Sequence, residues 1–303
     1  MSDDQQRSGF LFALMAFLIW GTLPLFWKFT EHLDPVEVTA HRALWAVPFA
    51  GIICWVIGRT GDILPTFKSP KKIGILFLCS CLVSFNWAVF IWAIGVERVL
   101  DTALAYYINP LLSVLLAFLF LRERFTRLQL SAIVIAGSAV LLLTVLSGQF
   151  PWISVFLAAT FGFYGLLRKT VDVGPTQGFM VEVILIFPIV ATIVGWKIWQ
   201  GNSALLLSPG DAMLMVLAGP ATAIPLIMFA SGAKRLRLST VGLMQFIVPT
   251  LLFLTSVFVF GEPLQPSMLI AFVMIWFALI LYAISILRGE VGKRKSPATK
   301  RMG

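Results

Sequence analysis

Four ionisable side chains stand in stretches otherwise too apolar for them: Glu37, His41 and Arg42 near the start of one stretch, and Glu182 near the start of another. A charge at the centre of a membrane span costs about 2.5 to 3.5 kcal/mol on insertion scales, so one that is kept marks a functional-site candidate. Glu37, His41 and Trp45 recur at i, i+4 and i+8 and share a helix face, while Arg42 and Trp45 are i, i+3 neighbours. At an offset of 140 residues Arg42 falls on Glu182. A base and an acid in such related places suit the two ends of a zwitterion, or a shared role in substrate or proton binding. The bland alternative has Arg42 snorkelling or pairing with Glu37 or a backbone carbonyl, and Glu182 pairing with Lys28 or another base.

Neutral polar groups form a second set. Thr102, Tyr106, Asn109 and Ser113 make a stripe at helical spacing, with Pro110 removing a backbone hydrogen bond near its middle. A later stretch repeats the device, with Gln245 in the place of Tyr106 and Pro249 in that of Pro110. Asn86, Trp20, Trp87 and Tyr164 also lie deep in apolar stretches, where aromatic faces suit an aromatic or cationic solute as well as they suit core packing. Pro24, Pro110, Pro225 and Pro249 are candidate gate elements, because a proline frees a carbonyl that a neighbouring side chain or a wet cavity must satisfy.

Several other chemistries find no residues. The chain has no G-x-x-x-x-G-K-[ST] loop for direct ATP drive and no G-x-S-x-G elbow for hydrolysis. His32 and His41 are nine apart, with no clustered cysteine or second acid to complete a metal site, so no metal or cofactor is expected. Cys54, Cys79 and Cys81 fall in apolar stretches and read as small apolar fillers.

The elements that must position these groups are membrane helices. Of the 303 residues 59% are hydrophobic and 12% charged, with a mean hydropathy of +0.94, against roughly a quarter charged in a soluble domain. Ten apolar stretches recur, each long enough to cross a hydrocarbon core about 30 Å thick. They cover 9–30, 35–58, 72–95, 101–121, 128–147, 151–169, 175–197, 212–233, 238–260 and 266–287. The opening MSDDQQRS is polar and no small-residue cleavage site follows, so a removable signal peptide is not expected.

The net charge of +9 does not point to nucleic acid, because the positive residues alternate from loop to loop. Nineteen Lys and Arg lie on one side of the expected spans and three on the other, with Arg42 left inside a span. The positive-inside rule then puts both termini in the cytoplasm, with a basic cytoplasmic tail over 288–303. An internal repeat agrees: Pro35 and Pro48 fall on Pro175 and Pro188, while Arg98, Pro110 and Glu123 fall on Arg237, Pro249 and Glu262. Five spans per copy is odd, so the second copy is inverted. The expected fold is an all-α membrane protein of ten transmembrane helices, built as two inverted five-helix repeats over 9–147 and 151–287. Such repeats place a site near the midplane and suit alternating access.

Several segments resemble the RarD family: IWGTLPLFWK from Ile19, HRALW from His41, NWAVFIWAI from Asn86 and YYINPLLSVLLAFLFLRERF from Tyr106. FYGLLRK from Phe163, RLRLSTVGLMQFIVPT from Arg235 and the GE at Gly261 extend the likeness to most of residues 10 to 285. That family belongs to the EamA group of the drug/metabolite transporter superfamily, and the resemblance implies a ten-span permease of the bacterial inner membrane. The expected function is therefore secondary transport, with export of small amphipathic, amino-acid-like metabolites or drugs by alternating access. The expected partners are a small-molecule substrate and the lipid bilayer. An intramembrane lipid-modifying enzyme lacks a nucleophile or metal constellation, and a non-transporting scaffold would be indifferent to loss of the midplane polar residues.

Overall fold

The computed structural model describes residues 3–96, 98–146, 151–259 and 266–294, and every regular element among them is helical. The helices are α1 (Asp3–Trp27), α2 (Pro35–Val56), the short α3 (Ile63–Phe67), α4 (Pro70–Gly95), α5 (Val99–Leu121), α6 (Arg127–Leu146) and α7 (Trp152–Thr170). They continue with α8 (Pro175–Trp199), the single turn α9 (Ala204–Leu207), α10 (Pro209–Arg235), α11 (Leu238–Met244), α12 (Ile247–Phe258) and α13 (Pro266–Arg294).

Local chemistry sets several of these boundaries. Proline opens α2, α8 and α10, where its missing N–H is one that no helix would use. Asp34 caps α2 by accepting from the Val36 and Glu37 amides at 2.8 and 3.1 Å. Partial burial pushes the Asp34 carboxyl up, but the Lys197 ammonium at 2.6 Å and those two amides hold it below the usual carboxylate value. At the end of α5, Arg122 adopts a left-handed φ of 52°, which stops the helix and turns the chain toward Glu123.

Seven helices among the described residues are long and apolar enough to cross a membrane, or eight if α2 and the 60–67 segment, bent from it by 115°, count as one span. The 19-residue α7, which ends in Arg168 and Lys169, and the 17-residue Leu269–Ser285 part of α13 fall short of that measure. Two features depart from the expected elements. The stretch expected as one span over 238–260 is broken at Gln245 and Phe246 into α11 and α12, because Pro249 cannot donate to the carbonyl four residues before it. The tail expected from 288 begins inside α13, whose helix carries on to Arg294. Glu262 and the tail residues Lys295, Lys300 and Arg301 lie outside the described residues.

Two apolar clusters bind the helices together across the sequence halves. In the larger one, Ala13 and Phe17 of α1, Cys79 of α4 and Tyr164 of α7 meet Phe229 of α10 and Val241 of α11. In the other, Ala132, Ala136 and Ala139 of α6 let α13 approach closely through Ala271, Ile275 and Ala278. Small residues at contacts and large ones outside are what lipid favours, since lipid itself is as apolar as leucine. Trp55, Trp199 and Phe258 accordingly face outward, each more than 70% exposed.

Candidate functional site

Arg42 occupies the centre of an aromatic cradle. Its guanidinium carbon lies 4.6 Å from the ring centre of Trp27 and 4.6 Å from that of Trp87, and its Nε donates to Thr222 Oγ1 at 3.1 Å. Four helices supply these groups: α1 brings Trp27, α2 Arg42, α4 Trp87 and α10 Thr222. Tyr106 of α5 lies within electrostatic reach of the same cation and is still 37% exposed. The arginine is itself half-buried, and no carboxylate among the described residues lies within ion-pair distance of it.

One turn from Tyr106, Asn109 donates to Gln245 Oε1 at 2.6 Å, and Gln245 donates in turn to Ser113 Oγ at 3.1 Å. These bonds tie α5 to the break between α11 and α12. Pro110 and Pro249 stand beside them, so the Tyr106 and Gln245 carbonyls each lose the donor four residues on. Gly242 makes the approach possible, since a Cβ there would sit 2.7 Å from that of Ser113 and 3.1 Å from the Pro110 carbonyl oxygen. Pro24 and Pro225 lie within α1 and α10.

Glu182 does not share a site with Arg42; it pairs with Arg168, whose guanidinium lies 3.3 Å from its carboxylate. Although Arg168 stands at the end of an expected span, no part of it is exposed. Tyr164 donates to Glu182 at 3.3 Å, and Arg168 also donates to the Pro175 carbonyl at 2.6 Å. Gly178 leaves the room, because a Cβ there would overlap Arg168 Nη1. Trp20 packs into the neighbouring aromatic group, 5.6 Å from Phe229 and 5.7 Å from Phe161.

Glu37 and His41 are fully buried and 3.5 Å apart. Glu37 accepts from Ser203 Oγ at 2.6 Å and from the Ala204 amide at 2.9 Å, so it fastens α9 and the loop around it to α2. Glu37→Ala should therefore lower stability by about 1 to 3 kcal/mol, the cost of stranding buried donors, while Glu37→Gln keeps an acceptor and should cost less. Melting midpoints of the two variants in detergent check the order. Asn86 likewise bridges helices, donating to the Leu157 carbonyl and to Thr160 Oγ1, both at 2.8 Å.

At one end of the bundle Glu123 caps α11. It accepts from the Leu238 amide at 2.8 Å and from Ser239 Oγ at 2.5 Å, and pairs with Arg237 at 3.2 Å. Beside it, the Lys169 ammonium donates to the Ala233 and Leu236 carbonyls.

Sequence reasoning missed Trp27, Thr222 and Arg168. For Arg168 a signal existed: it stands four residues after Tyr164 and Gly178 four before Glu182, so each pair shares a helix face. Trp27 and Thr222 are distant in sequence from Arg42 and carry no such signal. No group of three or more His, Cys, Asp or Glu that could hold a metal occurs among the described residues.

Comparison with known proteins bears on this architecture directly. The EamA-like transporter family matches residues 7–145. The transporter YojE of Bacillus subtilis (strain 168) is 39% identical over 290 residues, 94% of this chain and 96% of its own. Protein RarD of Escherichia coli (strain K12) is 34% identical over 285 residues, 94% of this chain and 96% of its own. A solved crystal structure superposes with a TM-score of 0.71 over 92% of this chain and 98% of its own; at 17% identity it speaks for the fold alone. With such identity along nearly its whole length and an apolar all-helical bundle to match, the chain belongs to the RarD family of the EamA group and is a multi-pass membrane transporter of the drug/metabolite type.

Proposed function

We propose that the chain is a ten-span secondary transporter of the bacterial inner membrane, exporting small amphipathic metabolites or drugs by alternating access. Its two inverted repeats occupy residues 9–147 and 151–287, and both termini are cytoplasmic. The observation that carries this reading is the Arg42 cradle: a partly exposed cation inside the bundle, walled by α1, α2, α4 and α5 of the first half and by α10 of the second. A group reached from both halves can be bared to either side when the halves rock. Counting α7 and α13 with the eight apolar spans, α2 and its bent segment taken as one, brings the spans to ten, and the matching prolines Pro110 and Pro249, one turn after Tyr106 and Gln245, support the repeat.

Two measurements test the proposal. In proteoliposomes the protein should move solutes drawn from a comparison of overproducing and deleted cells, and Arg42→Gln should insert and melt normally while flux falls at least about tenfold, the equivalent of one lost charge-assisted contact. Wild-type flux in that variant would remove the site, and no flux of any solute in the wild type would favour a scaffold. A periplasmically active reporter fused to the C-terminus would overturn the orientation.

A further inference from the structure

The bundle holds two interior arginines and treats them differently. Arg168 is sealed from solvent and carries its own carboxylate, Glu182, at 3.3 Å. Arg42 stays reachable and has none among the described residues. The two acids nearest in sequence are engaged elsewhere: Glu37 holds Ser203 and the Ala204 amide, and Asp34 pairs with Lys197 at 2.6 Å. An arginine does not discharge itself by losing its proton, so a cation left without a carboxylate in such a place is held ready for one that arrives from outside.

The geometry around Arg42 also says what shape of anion fits. Trp27 and Trp87 cover the guanidinium at 4.6 Å each, and Thr222 takes Nε. The remaining N–H groups lie along the edge of the guanidinium plane, the edge by which arginine grips a planar carboxylate with two parallel bonds. The partly exposed Tyr106 ring offers an apolar surface for the rest of the solute. A zwitterion would need a second, acidic contact for its amine, and Glu182, the acid at the related position in the other half, is occupied by Arg168 and Tyr164.

We infer that the Arg42 cradle is an anion subsite, and that the solute class is small organic monoanions with an aromatic or flat apolar body, bound through a carboxylate. This rests on the reading of the cradle as the transport cavity. A monoanion also leaves the loaded site neutral, which is the cheaper state to carry through a low-dielectric interior.

A charge series with a constant ring decides the matter: phenylacetate (anion), phenylacetamide (neutral), 2-phenylethylamine (cation) and phenylalanine (zwitterion). Binding to the purified full chain is followed by quenching of its tryptophan fluorescence, and flux is followed in proteoliposomes. Phenylacetate should bind saturably and at least about tenfold tighter than the other three, the scale of one charge-assisted contact. In Arg42→Gln the four should fall within about twofold of one another, and Arg42→Lys should keep the order with weaker binding, because a point charge loses the bidentate edge. Phenylalanine or the amine binding as tightly as phenylacetate, a preference that survives Arg42→Gln, or no saturable binding of any of the four overturns the subsite. If the variants fail to fold, the wild-type series alone decides between an anion subsite and none. Flux of cell metabolites without any charge preference would overturn the anion subsite and leave transport standing, whereas absence of all flux would remove both.

Discussion

Replacing Arg168 with Met is expected to cost about 3 to 5 kcal/mol of stability, because it strands the Glu182 carboxylate in the bundle interior. The pair is closed on every side: Arg168 is fully buried, Glu182 is 5% exposed, and Tyr164 completes the group. Glu182→Gln should cost a similar amount by leaving the guanidinium with the Pro175 carbonyl as its remaining strong acceptor. Removing both charges, as Arg168→Met with Glu182→Met, should restore most of the loss, since an apolar pair of like volume avoids the desolvation that the ion pair suffers. The same rescue should not occur for Arg42→Gln with Glu182→Gln, because those two do not touch. Gly178→Ala should destabilise too, and less so in the Arg168→Met background, where the guanidinium that its Cβ would strike is gone. Melting midpoints of the purified variants supply the comparison; equal losses in the Arg168–Glu182 double and in the sum of its singles would show that the pair is not coupled.

Glu123→Ala is expected to release one end of the bundle. The side chain is 10% exposed and gathers the Leu238 amide, Ser239 Oγ and the Arg237 guanidinium, which joins the end of α5 to the first turn of α11. First-turn amides of a helix have no acceptor of their own, and hydrogen bonds to a charged group are worth about 1.5 to 3 kcal/mol each. Losing one such bond's worth shifts a two-state equilibrium by about 10- to 150-fold toward the open form. On the reading that this end is cytoplasmic, a cysteine placed at Ser113 in a chain with Cys54, Cys79 and Cys81 replaced should react faster with an impermeant maleimide in inside-out vesicles. Arg124→Ala is the control, because Arg124 takes part through its carbonyl, which accepts from Arg237 at 2.7 Å. An unchanged labelling rate in Glu123→Ala would mean that Glu123 is a helix cap and no latch.

Much of the helical layout was legible in the sequence because its causes are local. An apolar run of about 20 residues identifies a membrane helix whatever surrounds it, and Pro35 and Pro175 mark helix starts through a backbone property of the residue itself. Pro249 stands in a run expected as one span over 238–260, and the break at Gln245 and Phe246 that divides that helix in two was not legible from the proline alone. Short elements such as α9 were not legible, since a single turn is marginal alone and is held by Glu37 from another helix.

The partners of the buried charges were decided by the tertiary structure. Sequence placed Arg42 and Glu182 in corresponding positions and left their partners open; folding gave Glu182 to Arg168, just across the α7–α8 turn, and gave Arg42 two tryptophans and a threonine from three other helices. Hydropathy and backbone chemistry act over a few neighbouring residues, so the order of residues alone marks a helical membrane protein and the side chains that carry unusual cost. Which of those costs is met by a charged partner within the chain depends on contacts of a few ångströms between helices up to 180 residues apart, and only packing brings those together.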